Sequence, residues 1–219
     1  MSPDPAAVPT PPRIHDVTRP VRAGMPVWPG DAPCRVAWTG RVAAGDGANV
    51  AEVSLSVHSG THADGPYHVD EDGIRIGAVS LDAFVGRARV IDARGLDGIE
   101  GDWLAERMAG DPPRILLHTG CWSDPAVFPT SFPALAPDAA RLLAGRGVRL
   151  VGTDAPSVDP FRSHDLPAHR ILLGAGIGIL ENLLLDDVEP GDYGLIALPL
   201  RLVEADSSPV RAVLLEPEP

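Results

Sequence analysis

The chain has 219 residues, 44% of them hydrophobic and 22% charged, which is ordinary globular usage at a length that suits one domain. Its formal charge of −12 disfavours nucleic acid and anionic membrane surfaces, polyanions that demand clustered basic residues, and points to a small-molecule partner. All eighteen basic residues are Arg, so a Schiff-base lysine and a P-loop lysine are both excluded.

Residues 1–12, MSPDPAAVPTPP, cannot sustain a regular hydrogen-bond ladder and read as a flexible tail, leaving 13–219 as the folded domain. The same opening has no basic region followed by an apolar one, and no later segment offers about eighteen uninterrupted apolar residues. Cys34 and Cys121 are too few for a disulfide framework and fit a reducing compartment. The expectation is a cytoplasmic protein, neither secreted nor inserted in a membrane.

Residues 49–57 alternate in hydrophobicity and predict a half-buried strand running directly into His58. Residues 59–66, SGTHADGP, are rich in turn formers, which predicts that the histidines sit on a loop. Short apolar runs at 88–91, 115–118, 150–152, 176–180, 195–198 and 210–215 read as buried strands. Residues 102–108 and 137–144 read as helices, the second opened by Pro137 and ended by Gly145, and 123–137 as a Pro-interrupted surface loop. The class is α/β, mixed, with strands dominant.

The segment His58-Ser-Gly-Thr-His62-Ala-Asp64-Gly-Pro-Tyr-His68 gathers three of the seven histidines and a carboxylate within eleven residues. Imidazole and carboxylate are the usual ligands of zinc and its neighbours, and glycines let ligands close in sequence converge. A lone loop histidine is more often a plain surface residue; four clustered groups favour a metal. His169 and Glu181 lie twelve residues apart between apolar segments, where a buried polar group needs a partner. Their spacing alone fits a core histidine and a helix-surface carboxylate equally well. Cys121, following the apolar run that ends at His118, offers a weaker alternative as a nucleophile.

The chain resembles the bacterial kynurenine formamidases of the cyclase-like metal-hydrolase superfamily, from about residue 14 to 215. The resemblance rests on Pro26-Val-Trp-Pro-Gly-Asp31, the His58 to His68 segment, Gly152-Thr-Asp-Ala-Pro-Ser-Val-Asp-Pro160, Ile179-Leu-Glu181, Gly191-Asp-Tyr-Gly-Leu-Ile-Ala-Leu-Pro-Leu200 and Ser208-Pro-Val-Arg-Ala-Val213. It implies a single strand-rich α/β domain with a β-barrel-like core, assembled as a homodimer or larger homo-oligomer. It further implies two divalent ions per subunit, zinc by default and manganese next. His58, His62 and Asp64 would bind one and His169 the second, with Asp64 and Glu181 shared, His68 as proton donor and acceptor, and Trp28 against the substrate's aromatic ring. One departure stands out: Leu166-Pro167-Ala168-His169 occupies a stretch where the family commonly has an acidic residue before Ala-His.

The implied reaction is hydrolysis of a linear aromatic amide, N-formyl-L-kynurenine, to L-kynurenine and formate by a metal-activated water, with His68 as general acid and base. Isatin-type hydrolysis of a cyclic amide or ester is the alternative within enzymes. A non-catalytic domain whose metal merely staples the loop is the alternative outside them.

Overall fold

The computed structural model describes residues 12–217, so the flexible tail expected at 1–12 lies, Pro12 apart, outside the described residues. One nine-stranded sheet, curled into a half-barrel, carries the fold. Its centre is four parallel strands, β5 (Val85–Asp92), β6 (Arg114–His118), β7 (Leu150–Thr153) and β8 (Gly178–Glu181). Parallel neighbours need crossovers, and three helices provide them: α1 (Gly101–Ala105), α2 (Pro137–Gly145) and α3 (Pro167–Gly174).

Antiparallel strands extend both sides. β9 (Gly191–Ile196) pairs with β5, then β11 (Val213–Leu215) and β1 (Ile14–Asp16) follow. On the other side, β4 (His62–Asp64) pairs with β8 and β10 (Ser207–Pro209) closes the sheet. The sheet stays open, with β1 and β10 as its edges.

Side-chain alternation divides the core in two. Ile91, Ile115, Leu117, Val151 and Ile179 face the helices and join Leu104, Ala139, Leu143 and Leu172 in one cluster. Their neighbours Val90, Leu116, Leu150 and Leu180 point the other way, into the curl, with Val17, Phe84, Leu195 and Leu214. Burying a Leu or Ile side chain fully contributes about 1.5–3 kcal/mol, and central strands covered on both faces read as the continuous apolar runs seen in the sequence.

The expected strands at 88–91, 115–118 and 150–152 fall inside β5, β6 and β7, and the helix at 137–144 is α2. Three expectations are corrected. The strand expected at 49–57 is β3 (Val50–Ser54), which ends before His58 and has no buried residue. It pairs only with β2 (Arg35–Gly40) in a separate two-stranded sheet, so its apolar alternation has no core to face. The loop expected at 59–66 contains a strand: His62, Ala63 and Asp64 form β4, because β8 and β10 on either side supply hydrogen-bond partners that turn propensity cannot anticipate. Of the run 210–215 only Val213–Leu215 is strand, as β11, and residues 210–212 connect it to β10, which ends at Pro209. Among the described residues no helix is long and apolar enough to cross a membrane.

Candidate metal centre

The site lies beyond the carboxyl ends of β7 and β8, where open parallel sheets characteristically bind ligands. Glu181 is the last residue of β8 and stands opposite His62 in the β4–β8 register. Asp64, two residues along β4, shares the face of His62. His58 precedes β4 in a turn, and His68 ends the 3-10 turn Pro66–His68 just after it. His169 lies in the first turn of α3. The structure thus brings together all five residues proposed from the sequence as metal ligands, with His68 beside them.

The two carboxylates lie between the histidines. Asp64 Oδ1 is 3.2 Å from His58 Nδ1 and 3.6 Å from His62 Nε2, while Asp64 Oδ2 is 3.6 Å from His169 Nε2. Glu181 Oε2 is 3.5 Å from His62 Nε2 and its Oε1 is 3.1 Å from His169 Nε2. Potential ligand atoms therefore converge in three groups: His58, His62 and Asp64, and Asp64, His169 and Glu181, which share Asp64, and a more open third of His58, His68 and Asp206.

Each of the three convergent histidines turns its other nitrogen outward, to an oxygen. His62 Nδ1 donates to Gly60 O at 3.0 Å, His169 Nδ1 to Asp159 Oδ2 at 2.7 Å, and His58 Nε2 to Asp206 Oδ2 at 2.9 Å. Carbonyl and ionised carboxylate oxygens only accept, so these contacts fix the outward N–H, and the inward nitrogens are the ones that would offer lone pairs to a metal. Metal-binding histidines are characteristically held this way by a carboxylate or backbone carbonyl. Other donors steady the carboxylates: Ser207 Oγ to Asp64 Oδ1 at 2.7 Å and Val158 N to Glu181 Oε1 at 2.8 Å.

A divalent cation fits this donor set on two grounds. Buried His62 Nε2 and Asp64 Oδ2 find no hydrogen-bond partner among the described residues, and a buried acceptor left without a donor is costly. Among the described residues no Arg pairs with Asp64, Asp159, Glu181 or Asp206, which leaves protons on imidazole as the counter-charge. Burial opposes that charge on His58, yet hydrogen bonds to Asp206 and Asp64 push its pKa up to about 10. His169 is likewise raised well above its usual value, against its burial, by the charge of Glu181 and the bond to Asp159. A divalent cation would supply the counter-charge that these protons otherwise provide, displacing them as it binds.

A cavity of about 300 Å³ opens onto the cluster, its lining including His58, His62, His68, His169 and Glu181 together with Trp28, Trp122 and Phe128. Trp28 stands edge-to-face with Phe128 at 5.6 Å between ring centroids and tilted against Phe161 at 5.0 Å, an arrangement favoured by ring quadrupoles. Cys121 is not among the residues that line this cavity, and burial pushes its thiol up to about 11, which disfavours the thiolate.

A family model described as a putative cyclase matches residues 15–160. The chain belongs to that cyclase family. Among solved structures, this cyclase-family chain is similar to a potential metal-dependent hydrolase with cyclase activity, at 34% identity and a TM-score of 0.81 over 94% of this chain and 99% of that one. It also resembles a predicted metal-dependent hydrolase from Bacillus stearothermophilus, at 32% identity and a TM-score of 0.79 over 92% of this chain and 97% of that one. Isatin hydrolase A from Labrenzia aggregata, bound to benzyl benzoate, shares 28% identity and a TM-score of 0.81, with 94% of each chain covered.

Sequence reasoning missed two carboxylates at the site. Asp159 accepts hydrogen bonds from Ala168 N and His169 N, both at 2.9 Å, as well as from the His169 ring. It supplies the cap of α3 across the chain, so the helix needs no acidic residue where Leu166 and Pro167 stand. Leu166 takes the left-handed conformation, φ 45, to start that helix. The motif ending in Asp159-Pro160 was the available signal, but its polar residues also suit an ordinary turn. Asp206 had no sequence signal at all, since only strand pairing brings 206 beside 58 and 68.

Proposed function

We propose that this chain is a metal-dependent hydrolase that cleaves N-formyl-L-kynurenine to L-kynurenine and formate. The observation that carries the reading is one cavity whose lining combines a histidine–carboxylate cluster suited to divalent metal with Trp28, Trp122 and Phe128. Two ions, zinc first and manganese second, would be held by His58, His62 and Asp64 on one side and His169 on the other, with Asp64 and Glu181 shared. When bound, they supply a water acidified towards neutrality and Lewis-acid stabilisation of the carbonyl oxygen.

The chain's own residues do the rest. Trp28 and its aromatic neighbours offer flat apolar area to the substrate's ring and orient its formamide towards the cluster. His68 Nδ1 lies 3.0 Å from Asp206 Oδ2, and its Nε2 has no hydrogen-bond partner among the described residues. That nitrogen is suited to take a proton from water and deliver it to the departing aniline nitrogen, which leaves poorly as an anion. A histidine serves both steps because imidazole can accept a proton and then give it up.

Isatin hydrolysis is the second reading, favoured by 28% identity to isatin hydrolase A over 94% of the chain. Steady-state assays with N-formylkynurenine and with isatin, before and after chelation and with zinc or manganese restored, decide between them. Metal-restorable release of kynurenine supports the formamidase; metal-restorable turnover of isatin alone transfers the site to the cyclic amide. Metal binding with neither activity revives the metal-stapled domain. The same proposal includes a cytoplasmic homodimer or larger homo-oligomer, supported by the apolar side chains that β2 and β3 expose: Val36, Trp38, Val50 and Val53 are 41–53% accessible.

A further inference from the structure

Asp206 stands just before β10, and its placement is fixed from three sides. Its carbonyl accepts from Gly65 N at 2.8 Å, Ala205 O accepts from Ile76 N at 3.1 Å, and Ser207 pairs with Asp64 in the β4–β10 register. A Cβ at Gly65 would approach Asp206 O to 2.9 Å, so the backbone here is packed without slack. One oxygen of this anchored carboxylate, Oδ2, receives both His58 Nε2 at 2.9 Å and His68 Nδ1 at 3.0 Å. The two rings lie 4.5 Å apart between centroids. Both rings thus meet a single oxygen of one carboxylate.

We infer that Asp206 is a positioning residue that ties the orientation of the acid–base histidine, His68, to that of a histidine of the metal cluster, His58. This rests on the formamidase reading for the role of His68. Because an ionised carboxylate only accepts, Asp206 fixes the Nδ1–H tautomer of His68 and leaves Nε2 as the basic nitrogen presented to the cavity. The same oxygen fixes the Nε2–H tautomer of His58, which leaves Nδ1 turned towards Asp64. A base held in the wrong tautomer cannot collect a proton from its intended donor. Both histidines are set by one atom, so a shift of Asp206 moves them together.

The test compares Asp206→Ala, Asp206→Asn and Asp206→Glu with the unsubstituted protein at verified full metal loading, alongside nitrogen-15 NMR of the imidazole rings in metal-free protein. Asp206→Ala is expected to lower kcat on N-formylkynurenine by about ten- to hundredfold, the loss typical of an outer partner of a metal site, with KM little changed. In metal-free Asp206→Ala, the His68 proton is expected to distribute between Nδ1 and Nε2. Asp206→Glu restores part of both signals. Should Asp206→Ala fold poorly, Asp206→Asn keeps the shape and loses the charge, and carries the same expectations in weaker form. Unchanged His68 tautomer in Asp206→Ala or Asp206→Asn overturns the inference, as does unchanged kcat with a raised KM. If the unsubstituted protein binds metal but does not turn over N-formylkynurenine, the formamidase reading fails while the tautomer measurement still decides the role of Asp206.

Discussion

The two halves of the metal centre are built by different means. His58, His62, Asp64 and His68 come from eleven consecutive residues, joined by a turn at Gly60, the alternation of β4 and one 3-10 turn. Gly60 has φ 67, and a Cβ there would meet Val21 Cγ2 at 2.9 Å, so the turn into the first half is specified by one residue. Asp159, His169, Glu181 and Asp206 arrive instead from four separate places: the stretch before α3, α3 itself, β8 and the entry to β10. The first half needs only local conformation. The second needs the whole sheet in register, which ties its geometry to the stability of the fold.

The comparison breaks most severely if the halves do not form one centre. Asp64→Asn and Glu181→Gln each replace a carboxylate that lies between His62 and His169, and a neutral amide cannot balance a dication. Both are expected to weaken metal binding by more than about a hundredfold, beyond the loss usual for outer partners, and to remove turnover with it. Metal analysis after dialysis reads this directly. Full metal in Glu181→Gln beside an empty Asp64→Asn would mean that the second half does not share the first half's ion.

His68 belongs to the local half by sequence, but the proposed reaction gives it a different task. His68→Ala is expected to keep its metal and lose turnover by about 10²–10⁴-fold, the usual contribution of a placed acid–base group. Equal metal loss in His68→Ala and Asp64→Asn would reassign His68 to the ligand shell.

Asp159→Ala probes the dispersed half more gently. It removes the acceptor of two α3 backbone donors and of the His169 ring. The lost cap should cost roughly 0.5–2 kcal/mol of stability, read by thermal melting, and the freed ring about ten- to hundredfold in metal affinity. A melt shifted without any change in metal affinity would confine Asp159 to the helix.

The same division explains what could be read from the sequence. The runs that became β5, β6 and β7 were legible because strands covered on both faces are apolar throughout. The first half of the site was legible because its residues are neighbours in the chain. His169 and Glu181 became persuasive only with the family resemblance, since twelve residues of separation say nothing about convergence. α3 lacks a local start signal beyond Pro167, because Leu166 stands at its N-cap position and the capping carboxylate, Asp159, lies eight residues before Pro167. The short strand β4 reads as loop in the sequence because Gly60, Gly65 and Pro66 outweigh three residues whose partners, β8 and β10, lie more than a hundred positions later.

The smallest effect on chemistry is expected farthest from both halves, at the β2–β3 hairpin. Trp38 is 49% and Val53 53% accessible, and β3 was expected to be half buried on the strength of its alternation. A partner copy covering the hairpin would supply the missing burial and reconcile that pattern with the structure, since large exposed apolar surface marks interaction sites. Trp38→Ser combined with Val53→Ser should leave turnover and metal content unchanged and, as surface changes, move stability by only about 0.5 kcal/mol each within the monomer. Light scattering should report a smaller particle than the unsubstituted protein gives. A monomeric mass for the unsubstituted protein would overturn the assembly, and the alternation of β3 would then serve only its pairing with β2.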